Sequence, residues 1–246
     1  MLLPFAATLI YNVLPIQRIM RERKMILRVA MACLFWMIAI TASAQEYRVE
    51  RLDSPPPEGV APAIAECLAP VEYKITNGKR TICELWPASE WTIAADFKSS
   101  SSEIYPFEMG QLIGVVRYPR KGGDFRGREI PKGIYTLRFG LQPQDGNHVG
   151  TSDTRDFLLL LSAADDTDPQ PLDKPRLFKL SAKTSGTTHP AMLSFLAVPA
   201  EPGDLPALIH HESRELWSLR FDNPSKAGDK PANLVVELVV VGKAAE

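Results

Sequence analysis

Five consecutive large apolar side chains, Phe157 to Leu161, constrain this chain more than any other feature. A run that short, opened by Arg155-Asp156 and closed by polar residues, reads as a strand covered on both faces. Just upstream, Gly133–Leu141 is largely alternating: Ile134, Leu137, Phe139 and Leu141 are apolar among Thr136, Arg138 and Gly140. That is the period of a strand. Between the two lies a polar connection in which Asp145-Gly146 tolerates positive φ and lets the chain turn, with His148 near its tip. The pair of strands and their loop are the centre of the expected fold and the first place to look for a site.

Other segments repeat this short-strand pattern. Val71, Tyr73 and Ile75 alternate with charged residues, Asn77-Gly78 follows, and Thr81–Trp86 completes an expected hairpin. Further strands are predicted over Glu46–Asp53, Trp91–Phe97, Gln111–Tyr118, Ala191–Val198, Glu215–Phe221 and Leu234–Val241. One helix is clear: Asp173 can cap it, Pro175 sits in its first turn, Leu177 and Leu180 share a face, and Gly186 can end it. A shorter one is expected over Ala63–Leu68 before Pro70. Strands separated by turns rather than by helices disfavour a parallel α/β sheet. The predicted fold is all-β: an antiparallel two-sheet β-sandwich, jelly-roll-like, with one or two short helices, and a closed barrel as the alternative.

The N-terminus carries an address. Arg21, Arg23, Lys24 and Arg28 precede a 12-residue apolar run, Val29–Ile40, and then Ala42-Ser43-Ala44. Basic flank, short apolar core and A-x-A spell a secretory signal peptide. Twelve apolar residues are too few to span ~30 Å of hydrocarbon. The expected organisation is a leader over 1–44, with the true translation start at Met20 or Met25, a proline-rich connector over 45–62, and one domain over 63–246. The expected location is periplasmic or secreted. After residue 44 the chain has 23 basic and 28 acidic residues, a formal charge of −5. No basic stripe is visible in the linear sequence, so nucleic acid is not an expected partner. A small molecule, a glycan or an envelope protein is, and the membrane is expected to matter only through the cleaved leader. Two cysteines remain, Cys67 and Cys83, and an even pair in an oxidising compartment predicts a disulfide.

Chemistry-bearing residues are sparse. His148 and His189 both fall on expected loops, and together with Asp145 they would suit a divalent metal if the loops met; Asn147 could orient an imidazole. No metal-ligand spacing supports the set. His210-His211-Glu212 reads as a solvated loop, and Asp165, Asp166 and Asp168 lack the glycine of a calcium loop. Gly150-Thr151-Ser152-Asp153-Thr154 lacks the second glycine of a nucleophile elbow. The stretch Arg117–Arg128 is the other candidate. Arg126 and Arg128, with Arg117, Arg120 and Lys121 and the aromatic Tyr118 and Phe125, could hold an anionic sugar or a carboxylate.

Several motifs together resemble a family of exported bacterial β-rich proteins with no assigned activity. They are Asp124-Phe125-Arg126-Gly127, Gly133-Ile134-Tyr135-Thr136-Leu137-Arg138, Asp145-Gly146-Asn147-His148, Arg155-Asp156-Phe157 and Gly186-Thr187-Thr188-His189-Pro190, in spans covering roughly a third of the chain. The resemblance implies an exported, folded domain and supplies no catalytic residues. The expected function is a ligand- or partner-binding module rather than an enzyme, using loops at one end of the sandwich; the alternative is a metal-dependent enzyme built on His148 and His189.

Overall fold

The apolar run forms β9 (Asp156–Ser162), deep inside a single large sheet. A computed structural model describes residues 47–144 and 152–244; the leader and the stretch with Asp145, Asn147 and His148 lie outside the described residues. Side chains of β9 divide as the pleat requires. Leu158 and Leu160 enter the main core, while Phe157, Leu159 and Leu161 enter a second cluster on the opposite face. Both faces are covered, as the sequence demanded.

The sheet order starts at β1 (Tyr47–Asp53), β2 (Val71–Asn77), β3 (Arg80–Pro87), β5 (Leu112–Tyr118) and β8 (Gly133–Leu141). After β9 come β10 (Met192–Leu196), β13 (Lys230–Val241), β12 (Leu216–Ala227) and β11 (Ala207–His211). These neighbours are antiparallel; the short β4 (Trp91–Ile93) lies parallel to β12. The all-β reading holds, but the main strands do not divide into the two packed sheets of a sandwich. The reason is β10, which changes partner along its length: Met192–Ser194 pair with β9, and Phe195–Leu196 pair with β13. Tyr105 fastens that seam from the core side, donating to the Leu196 carbonyl at 2.8 Å and accepting from the Glu237 amide at 2.9 Å. Twist accumulating over so many strands curls the sheet. Its two edges, β1 and β11, come together, with the Tyr47 and Trp217 rings 5.0 Å apart.

Aromatic side chains fill the curl. Trp91, Phe107 and Phe221 meet edge to face around the Trp91 ring, and the Trp91 indole donates to the Ile113 carbonyl at 2.9 Å. On the outer face, the 12-residue helix α2 (Lys174–Ser185) lies over β9. Asp173 accepts from the Arg176 amide at 2.9 Å, and Gly186 closes the helix at φ 64°, as predicted. A four-residue helix, α1 (Pro62–Ala65), precedes β2.

Local differences from the sequence reading have local causes. The β2–β3 turn is centred on Gly78-Lys79, with Asn77 opposite Arg80 and the positive φ of 57° at Gly78. A bulge between Ile75 and Thr76 then sets Cys83 opposite Ile75. The expected disulfide is not formed: both thiols are free. Cys83 points into the main core, whereas Cys67 packs with Ile64 and Trp86 in a cluster on the other side of β3. Residues 47–53 pair along their whole length with β2 and place Tyr47 and Val49 on the core, so they belong to the domain and not to a connector. His210-His211 ends a strand rather than sitting in a solvated loop, because β12 offers it a full antiparallel partner.

Candidate functional site

The candidate basic stretch runs into a small hairpin, β6 (Gly122–Gly123) with β7 (Glu129–Ile130), and Asp124 shapes its tip. One Asp124 oxygen accepts from the Arg126 and Arg128 amides at 3.0 and 2.8 Å. Gly127, at φ 75°, donates its amide to the Asp124 carbonyl. The Asp124 side chain is buried, which raises its pKa against the pull of those two amide bonds and of the arginine charges. Phe125 is the plug: it enters the outer cluster, its amide donates to the Met192 carbonyl, and its carbonyl accepts from the Ala244 amide. With the backbone so held, the Arg126 and Arg128 side chains stand in solvent.

Helix α2 enters the same cluster through Leu177, with Phe178 and Leu180 at its margin, and touches β7. Hairpin and helix are therefore neighbours on one outer face. The solvent side of α2 shows Lys174, Arg176, Lys179 and Lys183, and the helix contains no acidic residue. Residues 119–132 and 174–185 with Lys243 hold ten basic residues and two acidic ones, Asp124 and Glu129. The remainder after residue 44 holds 13 basic and 26 acidic. Lys121 pairs with Glu129 and Lys183 with Asp165, each at 2.7 Å. Asp173 caps the helix, and Asp168 is exposed in the loop before it.

The expected composition of this site needs correction. Arg117 is engaged with Glu84 at 2.5 Å and lies over the Trp86 ring at 5.5 Å. Tyr118 is 1% exposed and Phe125 2%, so neither ring is available to stack on a ligand. What remains is purely cationic, and α2, which the sequence reading assigned no part in binding, contributes nearly half of it. The signal was present: four basic residues and no acidic one in a 12-residue helix.

The histidine site receives no support. Asp145, Asn147 and His148 lie outside the described residues, and among the described residues no group of three or more His, Cys, Asp and Glu could hold a metal ion. His189 is exposed; its carbonyl accepts from the Ser185 and Thr187 hydroxyls at 2.6 and 3.1 Å. The route of the chain sets which end of β9 His189 follows. Leu172 reaches back to the Gly110 carbonyl, so the loop after β9 makes the return, and α2 then runs outward again until Thr184 accepts from the Ser162 amide at 3.0 Å. His189 thus follows at the Ser162 end of β9. At the other end of β9, the Gln142 amide donates to the Arg155 carbonyl at 2.8 Å; His148 itself lies outside the described residues.

Two polar clusters went unanticipated. Arg138, fully buried on the outer face of β8, makes a bidentate pair with Asp166 at 2.7 and 2.9 Å. Its other donors reach the Gly110 and Gln170 carbonyls at 2.9 and 2.7 Å and the Asp168 carbonyl, and Thr136 donates to Asp166 at 2.5 Å. That network ties the acidic loop to the sheet and spends every guanidinium donor. On β11–β13, Ser218 donates to Glu237 at 2.6 Å, and His211 Nε2 lies 2.8 Å from the Ser218 hydroxyl and 3.0 Å from the same Glu237 oxygen. Arg220 holds the other Glu237 oxygen at 2.8 Å. This is no nucleophile relay: the serine proton is directed at a carboxylate, serine and glutamate share one imidazole nitrogen, and Ser218 is fully buried.

Compared with protein-family models, with curated proteins and with solved structures, the chain finds no match.

Proposed function

We propose that the chain is an exported module, acting in the periplasm or outside the cell, that binds an anionic ligand or partner without catalysing a reaction. Recognition runs through Arg126 and Arg128 on the β6–β7 hairpin and through the adjoining face of α2. The observation that carries this reading is the segregation of charge: a net positive face on a chain whose remaining surface is strongly acidic. Selection for solubility alone is served by interspersed charge and gives no reason for such a face. Guanidinium groups on a rigid hairpin suit carboxylate and phosphate oxygens, which they bind in pairs. The polar clusters at Arg138 and Glu237 are closed on themselves and lend nothing to an enzymatic reading.

A phosphate-bearing cation exchanger tests it. A mature chain of formal charge −5 should flow through at neutral pH if its charges act as an average. Retention at low ionic strength is expected, with release as salt shortens the Debye length from ~30 Å at 0.01 M to ~8 Å at 0.15 M. Arg126→Ala with Arg128→Ala should elute clearly earlier. Flow-through of the wild-type chain at low salt overturns the reading. Export is checked separately by intact mass of protein recovered from the envelope or medium: a chain beginning at Gln45 is expected, and a retained leader rejects it.

A further inference from the structure

We infer that the partner is the surface of an anionic lipid bilayer, against which the α2–hairpin face docks peripherally; this rests on the anion-binding reading above and names its occupant. Three observations select a surface over a small ligand. The first is shape. The basic residues stand on the outer, convex side of a curled sheet, on a helix and a hairpin that lie over it. Small ligands are held in concave sites, where a few convergent groups surround them. Here the cations are spread along a helix ~18 Å long and the hairpin beside it.

The second is orientation. The two segments and Lys243 hold ten basic residues against two acidic ones, with Asp165 and Asp173 at their border, and the rest of the mature chain holds 13 basic and 26 acidic, those two included. An anionic plane attracts one side of such a molecule and repels the other, so the charge distribution sets a single docking pose. The third is the absence of anything to insert. The aromatic plug Phe125 is buried, Lys174 caps the Phe178 ring at 5.6 Å, and among the described residues the only exposed large apolar side chain is Leu52, on β1. No helix among the described residues is long and apolar enough to cross a membrane. Contact of this kind is electrostatic, reversible and salt-sensitive, and each Lys or Arg near an anionic leaflet strengthens it about fivefold. The membrane would then matter to the mature chain, and not only to its leader.

Co-sedimentation of the mature chain with vesicles decides the matter. With phosphatidylcholine containing about 30% phosphatidylglycerol, binding is expected at low ionic strength, and none with phosphatidylcholine alone. The triple variant Lys174→Glu, Arg176→Glu, Lys179→Glu, all three exposed, should bind at least tenfold more weakly. A control with the same change in net charge, Lys79→Glu, Arg80→Glu, Lys230→Glu, uses exposed residues of two turns outside this face and should bind as wild type. Equal loss in both variants makes the effect one of net charge and overturns the docking face. Binding to soluble polyphosphate or a sulfated glycan but not to anionic vesicles overturns the lipid assignment while leaving the anion-binding reading intact. Binding to none of these overturns both.

Discussion

Arg138, on the outer side of the large sheet, and Arg126, on the separate β6–β7 hairpin, are spent differently. Arg138 is sealed under the loop that precedes α2, with one edge of its guanidinium, Nε and Nη2, on Asp166 and its remaining donors on backbone carbonyls. Arg126 contributes its backbone amide to the hairpin and leaves its side chain in water. The contrast separates architecture from recognition. A charge whose hydrogen bonds are all satisfied inside the chain has nothing left to offer a partner, and a charge held out by a firm backbone has everything left. Residue type alone does not distinguish the two; the bonding does.

The largest test of this contrast lies at the buried end. Arg138→Ala or Asp166→Ala leaves one charge buried without its partner and should cost about 3–5 kcal/mol in denaturant unfolding. Arg138→Met combined with Asp166→Leu should cost less than the two single changes together, because neither charge remains. Single variants within ~1 kcal/mol of wild type would mean that the pair is not the anchor of its loop.

Asp156 provides an intermediate case, a buried carboxylate without a cationic partner in the core. It accepts from the Ile104 and Tyr105 amides, both at 3.0 Å, and fixes the segment that inserts Tyr105 and Phe107 into the core. Burial pushes its pKa from 3.8 to about 6, against the pull of those two amides. A raised folded-state pKa means that the folded chain holds the proton more tightly than the unfolded one. The associated stability is therefore fully present below pH ~3.8 and lost as pH rises through ~6, a span worth roughly 2–3 kcal/mol. Unfolding free energies followed from pH 4 to 7 should fall for wild type relative to Asp156→Asn by about that amount. Parallel profiles would show that Asp156 titrates alike in both states.

At the displayed end the effect on folding should nearly vanish. Arg126→Ala with Arg128→Ala removes side chains whose backbone amides, not guanidinium groups, hold Asp124, so stability should stay within ~0.5 kcal/mol. A loss above ~1 kcal/mol would place these arginines with Arg138 on the architectural side.

Much of the scaffold was legible in local pattern. The double-faced run of β9, the alternation of β8, and the cap, proline and terminal glycine of α2 each carry their own instruction within a dozen residues. What failed to show was whatever depends on a distant partner. β11 ends in two histidines and is a strand only because β12 lies beside it. The continuity of the sheet rests on β10 trading one neighbour for another, which no periodicity announces. The candidate site divides in the same way. The hairpin arginines were readable as a cluster, but the pleat turns Tyr118 inward and the cluster under α2 takes Phe125, removing the aromatics expected beside them. The α2 cations were readable as helix residues and became part of a face only through that shared cluster.

The meeting of β1 with β11 has a consequence for self-association. An open sheet presents two rows of unsatisfied amides and carbonyls, and each can template another chain. Here the curl turns both rows toward the same narrow margin, where Tyr47, Trp217 and the stacked His210 stand close together. β1 brings Arg48, Glu50, Arg51 and Asp53 to that border, charges that a neighbouring strand would have to accommodate. A chain with ten strands in its main order thus gains much of the edge protection of a barrel without closing its last ladder.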